Sequence, residues 1–272
     1  TEYWVRPPSP DRAWVSSNLS GRPHHMNERR AEGEPHGVPM VFCHGVGVGP
    51  TMCLSFLVRL VRALGEDHPL FLVDTAAVSM RFADDVPCAR EVAANVVDML
   101  EVWGFKQAHF VGHSFGSFLC SWVLRYQRNY VERVTFMDPV CFLLLKVLVE
   151  GHELQQLKRD HRMDTMEIFI KYFVLTELFV CNFVCRCFFW EESNLDMQDL
   201  EGVEALLVLE AEDTIVPTHS VQRLVYAERQ RRAQKPMAKG IPSEHALDVH
   251  WVEGQPHAGF LVDALVAGDV IE

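Results

Sequence analysis

Residues 111–117 read VGHSFGS, with Gly112 and Gly116 flanking Ser114. The apolar run Ala108 to Val111 ends just before it, and FGSFLCSWVLRYQRNY after it repeats its apolar residues at helical spacing. Strand, sharp turn and helix form the context in which G-x-S-x-G carries meaning. The serine then tops the turn in a strained backbone conformation, and glycines on both sides keep side chains clear of strand and helix. The spacing predicts a nucleophilic serine at 114.

A serine hydroxyl is a poor nucleophile until a base takes its proton, and a carboxylate must hold that base in the right tautomer. Two more residues are therefore expected on loops that leave later strands, in the order serine, acid, histidine. His257, in EGQPHAGF, opens the last helix directly after the last strand. His219 and His245 flank the wrong elements, and His250 falls inside a strand. For the acid, Asp213 follows the strand ALLVLEAED, whereas Asp138 ends the strand before it, in FMDPV. Asp213 is favoured; the competing role for Asp138 is to cap the helix that follows it. A tetrahedral oxyanion needs two backbone N–H groups aimed at one point. The residue after the serine, Phe115, offers one. The glycine-rich loop CHGVGVGP offers the other at Val46, just past His44 and Gly45.

Outward from this stretch, short apolar strands alternate with amphipathic helices. GVPMVFCHG, PLFLVD, AHFVGHS, RVTFMD, VEALLVLEAED and LDVHWVEG read as strands, and helices follow most of them. Such alternation predicts an α/β chain whose mostly parallel sheet is covered by helices on both faces. Residues 1–37 read as an N-terminal extension, mostly loop. The core is then 38–139 plus 201–272, and 140–200, where the alternation breaks into bulky apolar helices, is a helical cap insertion.

The 272 residues suit one large domain, and 49% hydrophobic against 23% charged residues allows a sizeable core. A net charge of −12 argues against nucleic acid as a partner. The basic run ERQRRAQKPMAK at 228–239 reads as a solvated helix end, with membrane-surface contact as a second reading that the chemistry does not require. Most of the eight cysteines sit in apolar runs as small hydrophobes. CNFVCRC at 181–187 lacks a second pair to complete a zinc site. Cysteines that are buried and reduced point to a reducing, intracellular compartment, and no secretory signal or uninterrupted membrane-length apolar run is legible.

Through His44-Gly45, Gly112-His113-Ser114-Phe115-Gly116, Asp213 and His257, the chain resembles the α/β-hydrolase superfamily from about residue 38 onward. The segments FCHGVGVGP, VSMRF, VGHSFGSF, MDPVCFLL and FFWEESNL further resemble a eukaryotic branch of that superfamily, from which no substrate carries over. The resemblance implies the α/β-hydrolase fold and a serine-hydrolase triad, with neither cofactor nor metal. The expected reaction is hydrolysis of a small carboxylic ester, lipophilic if the Phe-, Leu- and Val-rich insertion roofs the serine. The alternatives keep the triad for a thioesterase, C–C hydrolase or lyase reaction, or make the chain a ligand-binding receptor on a hydrolase scaffold.

Overall fold

The structure, a computed structural model, describes residues 2–6, 15–18, 37–65, 68–83, 86–146, 172, 174, 176–234 and 247–262. Among the described residues the strands are β1 (Glu2–Arg6), β2 (Val15–Asn18), β3 (Met40–Cys43), β4 (Leu70–Asp74), β5 (Ala108–His113), β6 (Val131–Met137), β7 (Glu204–Glu210) and β8 (Leu247–Val252). They form one sheet in the order β2-β1-β4-β3-β5-β6-β7-β8. From β4 to β8 every pairing is parallel. β1 runs antiparallel to β4, and β2 antiparallel to β1. These two strands add to the sheet nine residues of the segment 1–37, most of the rest of which lies outside the described residues. They lie at an edge, where a short strand among Pro- and Gly-rich neighbours carries little periodic signal.

Both faces of the central strands β3, β4 and β5 are largely buried, which explains why they read as continuous apolar runs. Val41, Phe110 and Leu207 point to one side, where the helices α2 (Ala89–Val102) and α3 (Gly116–Tyr126) bring Val92, Val96, Leu119 and Trp122. Phe42, Val111 and Val208 point to the other, against Phe56, Leu57 and Leu60 of α1 (Leu54–Leu64). Alternate residues of a strand thus serve two separate cores.

The described part of 140–200 contains α4 (Leu178–Asn182), a π-helical turn over Phe183–Cys187 and α5 (Trp190–Ser193). Val180 and Phe183 are buried, and the Phe183 ring lies 5.5 Å from that of Phe115. Phe188 stands 4.8 Å from Phe118 of α3. The remainder of the expected cap helices, 147–171 with 173 and 175, lies outside the described residues. Two further helices, α6 (Thr218–Ala233) and the short α7 (Gly259–Val262), follow β7 and β8. No helix among the described residues is long and apolar enough to cross a membrane.

All eight cysteines are free, but only Cys43, Cys53, Cys120 and Cys141 are buried. Cys181 on α4 and Cys185 in the π-helical turn are exposed, contrary to the expectation for an apolar run. Three arginines of the basic run are ion-paired: Arg229 to Asp248, Arg231 to Glu201 and Glu228, and Arg232 to Glu228.

Candidate active site

β5 lies near the middle of the sheet, so the turn at its carboxyl end is flanked by the loops leaving β3 on one side and β6 and β7 on the other. Ser114 sits at that turn. Its N–H donates to the Met137 carbonyl at 2.9 Å, extending the β5–β6 ladder by one residue. The backbone then reverses into α3 with Ser114 at φ +50°, a left-handed conformation that costs a non-glycine residue about 1–3 kcal/mol. The flanking glycines make the reversal feasible. A methyl group at Gly116 would stand 2.0 Å from the Cys43 carbonyl oxygen, and one at Gly112 would stand 2.7 Å from the Gly116 carbonyl oxygen. Any side chain at either position would push α3 off the sheet.

His257 follows β8 and is buried. Its Nε2 lies 3.0 Å from Ser114 Oγ and its Nδ1 lies 2.7 Å from Asp213 Oδ2. Asp213 is reached by a turn after β7, and its other oxygen, Oδ1, accepts the N–H groups of Ile215 and Val216 at 2.7 and 2.8 Å. That double contact fixes the carboxylate plane, so Oδ2 is left for the imidazole. Burial disfavours the His257 imidazolium. The charge and hydrogen bond of Asp213 outweigh this, negative charge on the Asp138 and Glu210 carboxyl pair adds to them, and the pKa is raised to about 9. The rival histidines are elsewhere: His219 is exposed and packs on Trp251, His250 lies within β8, and His245 is outside the described residues.

The loop after β3 lies against the serine. A Cβ added to Gly45 would stand 3.1 Å from Ser114 Cβ. Its neighbour His44 is held from below: Nδ1 is 2.6 Å from the Gly45 carbonyl oxygen, and Nε2 is 3.4 Å from Asp74 Oδ1 and from Ser79 Oγ. The Ser79 hydroxyl donates to Asp74 at 2.8 Å, and the Gly47 N–H donates to Val78 O at 2.9 Å. Burial alone would raise the Asp74 pKa, but the hydrogen bonds from His44 and Ser79, with the Arg81 guanidinium, hold it below the ordinary carboxylate range. Among the described residues, no backbone hydrogen bond engages the N–H of Val46 or of Phe115.

Asp138 does not cap a following helix, as its position suggested. It turns back at φ +46° and accepts the Ala258 N–H at 2.8 Å. Asp138, Asp213 and His257 offer ligand atoms within 4.8 Å of one another, a spacing that could hold a cation. The 2.7 Å contact between Asp213 and the His257 ring leaves no room for an ion between those two atoms. Glu210 was missed by sequence reasoning. Its signal was a carboxylate directly ending the apolar run ALLVL, where an unpaired charge is costly.

No model of a known protein family matches the sequence, and no curated protein matches it. Solved structures do. A serine hydrolase from the polyaromatic hydrocarbon-degrading bacterium Cycloclasticus zankles aligns at a TM-score of 0.57 and 15% identity, covering 86% of this chain and 88% of that one. Naproxen esterase (carboxylesterase NP) from Bacillus subtilis aligns at 0.54 and 15%, covering 88% and 84%. The 2-hydroxy-6-oxo-6-phenylhexa-2,4-dienoate hydrolase of a Rhodococcus species aligns at 0.56 and 14%, covering 88% and 90%. These likenesses show that the chain has the α/β-hydrolase fold.

Proposed function

We propose that this α/β-hydrolase-fold chain is a serine hydrolase that cleaves a small, lipophilic carboxylic ester. One observation carries the reading: a single buried imidazole bridges Ser114 Oγ at 3.0 Å and Asp213 Oδ2 at 2.7 Å. In this reaction His257 Nε2 takes the Ser114 proton as Oγ attacks the ester carbonyl, and Asp213 stabilises the imidazolium through Nδ1–H. The N–H groups of Phe115 and Val46 receive the oxyanion, supported by their freedom from other backbone partners among the described residues. His257 then gives its proton to the leaving alkoxide. Water, deprotonated by the same imidazole, releases the acid from the acyl-enzyme.

Aromatic packing beside the serine supports the lipophilic preference. Phe183 and Phe188, from the insertion, crowd Phe115 and Phe118 at the start of α3. The segment 140–200 is on this reading a cap over the site, with 38–139 and 201–272 as the catalytic body. Free thiols at all eight cysteines support a reducing, intracellular setting. The ion-paired arginines of α6 give the membrane-surface reading little support.

Acyl chain length tests the cap. Each methylene buried in an apolar pocket is worth about 0.8 kcal/mol, about fourfold in transition-state stabilisation. Extending a nitrophenyl ester from acetyl to hexanoyl is therefore expected to raise kcat/KM well over tenfold (an order-of-magnitude expectation). A flat or falling series would remove the lipophilic preference and leave the triad. Covalent labelling by a fluorophosphonate with negligible ester turnover would instead move the reaction to the thioester, C–C or lyase class, or to ligand binding.

The pH profile is a second test. Only neutral imidazole can accept the serine proton, and the His257 pKa is raised to about 9. Activity is thus expected to climb through neutral pH, with its midpoint near that value rather than at the ordinary histidine value of about 6.5. A plateau already reached at neutral pH would contradict it.

A further inference from the structure

Behind the His257 imidazole, at the carboxyl ends of β6 and β7, lie the fully buried side chains of Asp138 and Glu210. Between them they receive three consecutive backbone N–H groups from the segment after His257. Ala258 donates to Asp138 Oδ2 at 2.8 Å, Gly259 to Glu210 Oε2 at 3.0 Å and Phe260 to Glu210 Oε1 at 2.9 Å. Neighbouring N–H groups thus hold two buried carboxyl groups side by side, an arrangement that favours one shared proton over two charges. The distribution of acceptors locates it. Both oxygens of Glu210 and Oδ2 of Asp138 accept an N–H, whereas Asp138 Oδ1 is buried and receives none. That oxygen is the one left free to carry a hydrogen.

Building on the reading of Ser114 and His257 as nucleophile and base, we propose that Asp138 and Glu210 form a one-proton carboxyl clamp that positions His257. In it Asp138 is the neutral donor and Glu210 the anion. The clamp holds Ala258 in its left-handed conformation, φ +64°, which sets the direction from which the His257 side chain enters the site. It also places a second negative charge near the imidazolium, beyond that of Asp213.

The surrounding groups agree with this assignment. Burial pushes Asp138 well above the ordinary carboxylate range, and Glu210 and Asp213 add to that against the opposing pull of His257 and the Ala258 N–H. Burial raises Glu210 too, countered by the hydrogen bond from Asp138 and by the N–H groups of Gly259 and Phe260. The other titratable neighbour is His113, whose ring centroid lies 5.9 Å from that of His257. Burial, then the charges of His257 and His44, hold His113 far below its ordinary value, so it stays neutral.

Three variants of the full chain test the clamp: Asp138→Ala, Asp138→Asn and Glu210→Gln. An amide at 138 repeats the neutral acid, with an oxygen for Ala258 and an N–H for Glu210. Asp138→Ala is expected to lower kcat about a hundredfold with little change in KM, the cost of a misplaced base, and Asp138→Asn to restore most of the loss. The His257 ring protons, titrated by NMR, give a readout that packing alone would not move. Their midpoint is expected to hold in Asp138→Asn and to fall by about one unit in Glu210→Gln, where the negative charge is gone. A midpoint that falls in Asp138→Asn, or holds in Glu210→Gln, overturns the proposal. If Glu210→Gln does not fold, the infrared band of a buried protonated carboxyl decides: present in the wild type and lost in Asp138→Asn supports the clamp, and absent in the wild type overturns it. The NMR and infrared readouts need no substrate. A wild type without probe labelling or ester turnover would thus sink the hydrolase reading and still leave the clamp measurable.

Discussion

Ser114→Ala is expected to abolish covalent labelling by a fluorophosphonate and to lower the kcat of ester hydrolysis about a thousandfold or more, with the fold intact. The size follows from the chemistry. Without Oγ no acyl-enzyme forms, and only oxyanion stabilisation and binding remain to speed direct attack by water. Stability should change little, because the Ser114 hydroxyl is hydrogen-bonded to His257 and alanine fits the same backbone turn. The strained φ is a property of the backbone between Gly112 and Gly116, and alanine tolerates it about as well as serine. Probe labelling, steady-state kinetics and a thermal melt check the three parts. Labelling of the variant at the wild-type level would place the nucleophile elsewhere and remove the mechanism.

Asp213→Asn is expected to cost about four orders of magnitude in kcat, and at least about tenfold more than Asp138→Asn. An asparagine at 213 still needs an oxygen to accept the N–H groups of Ile215 and Val216, so its NH2 group turns toward His257 Nδ1. The imidazole must then present a lone pair at Nδ1 and carry its proton on Nε2. A proton on Nε2 blocks acceptance of the serine proton. Asp138 meets no such conflict, since its carboxyl faces Ala258 and Glu210. Kinetics on both folded variants settle the assignment; if Asp138→Asn is the more damaging, the acid is Asp138.

The parts of this site legible in the sequence were those with local signatures. Ser114 was marked by glycines whose absence of a Cβ is enforced at short range, by Cys43 and by the elbow itself. His257 and Asp213 were marked by their places after strands, and the structure brings both to Ser114. Less legible was anything defined by what comes together across the sheet. Glu210 stands out as a carboxylate at the end of an apolar strand, but only the approach of the turn after β8 shows what it holds. Asp138 offered two local readings, and it adopts neither helix capping nor the Asp213 position. The network of His44, Asp74 and Ser79 joins the loop after β3 to residues some 30 positions later. The edge strands β1 and β2 were hidden because pairing at an edge needs few apolar residues.

The distance along the chain between Ser114 and His257, 143 residues, has a bearing on how the molecule acquires reactivity. The serine and its tight turn rest on β3, β5, β6 and α3, whereas the base arrives with β8, which among the described residues pairs with β7 alone at the sheet edge. Long-range strand pairing of this kind closes late, because loop entropy must be lost before contacts form. A chain still folding therefore displays a serine without a base, chemically as mild as any other alcohol. Docking of the final edge strand switches it on, so an activity-based probe added during refolding would time the arrival of β8 rather than the collapse of the core.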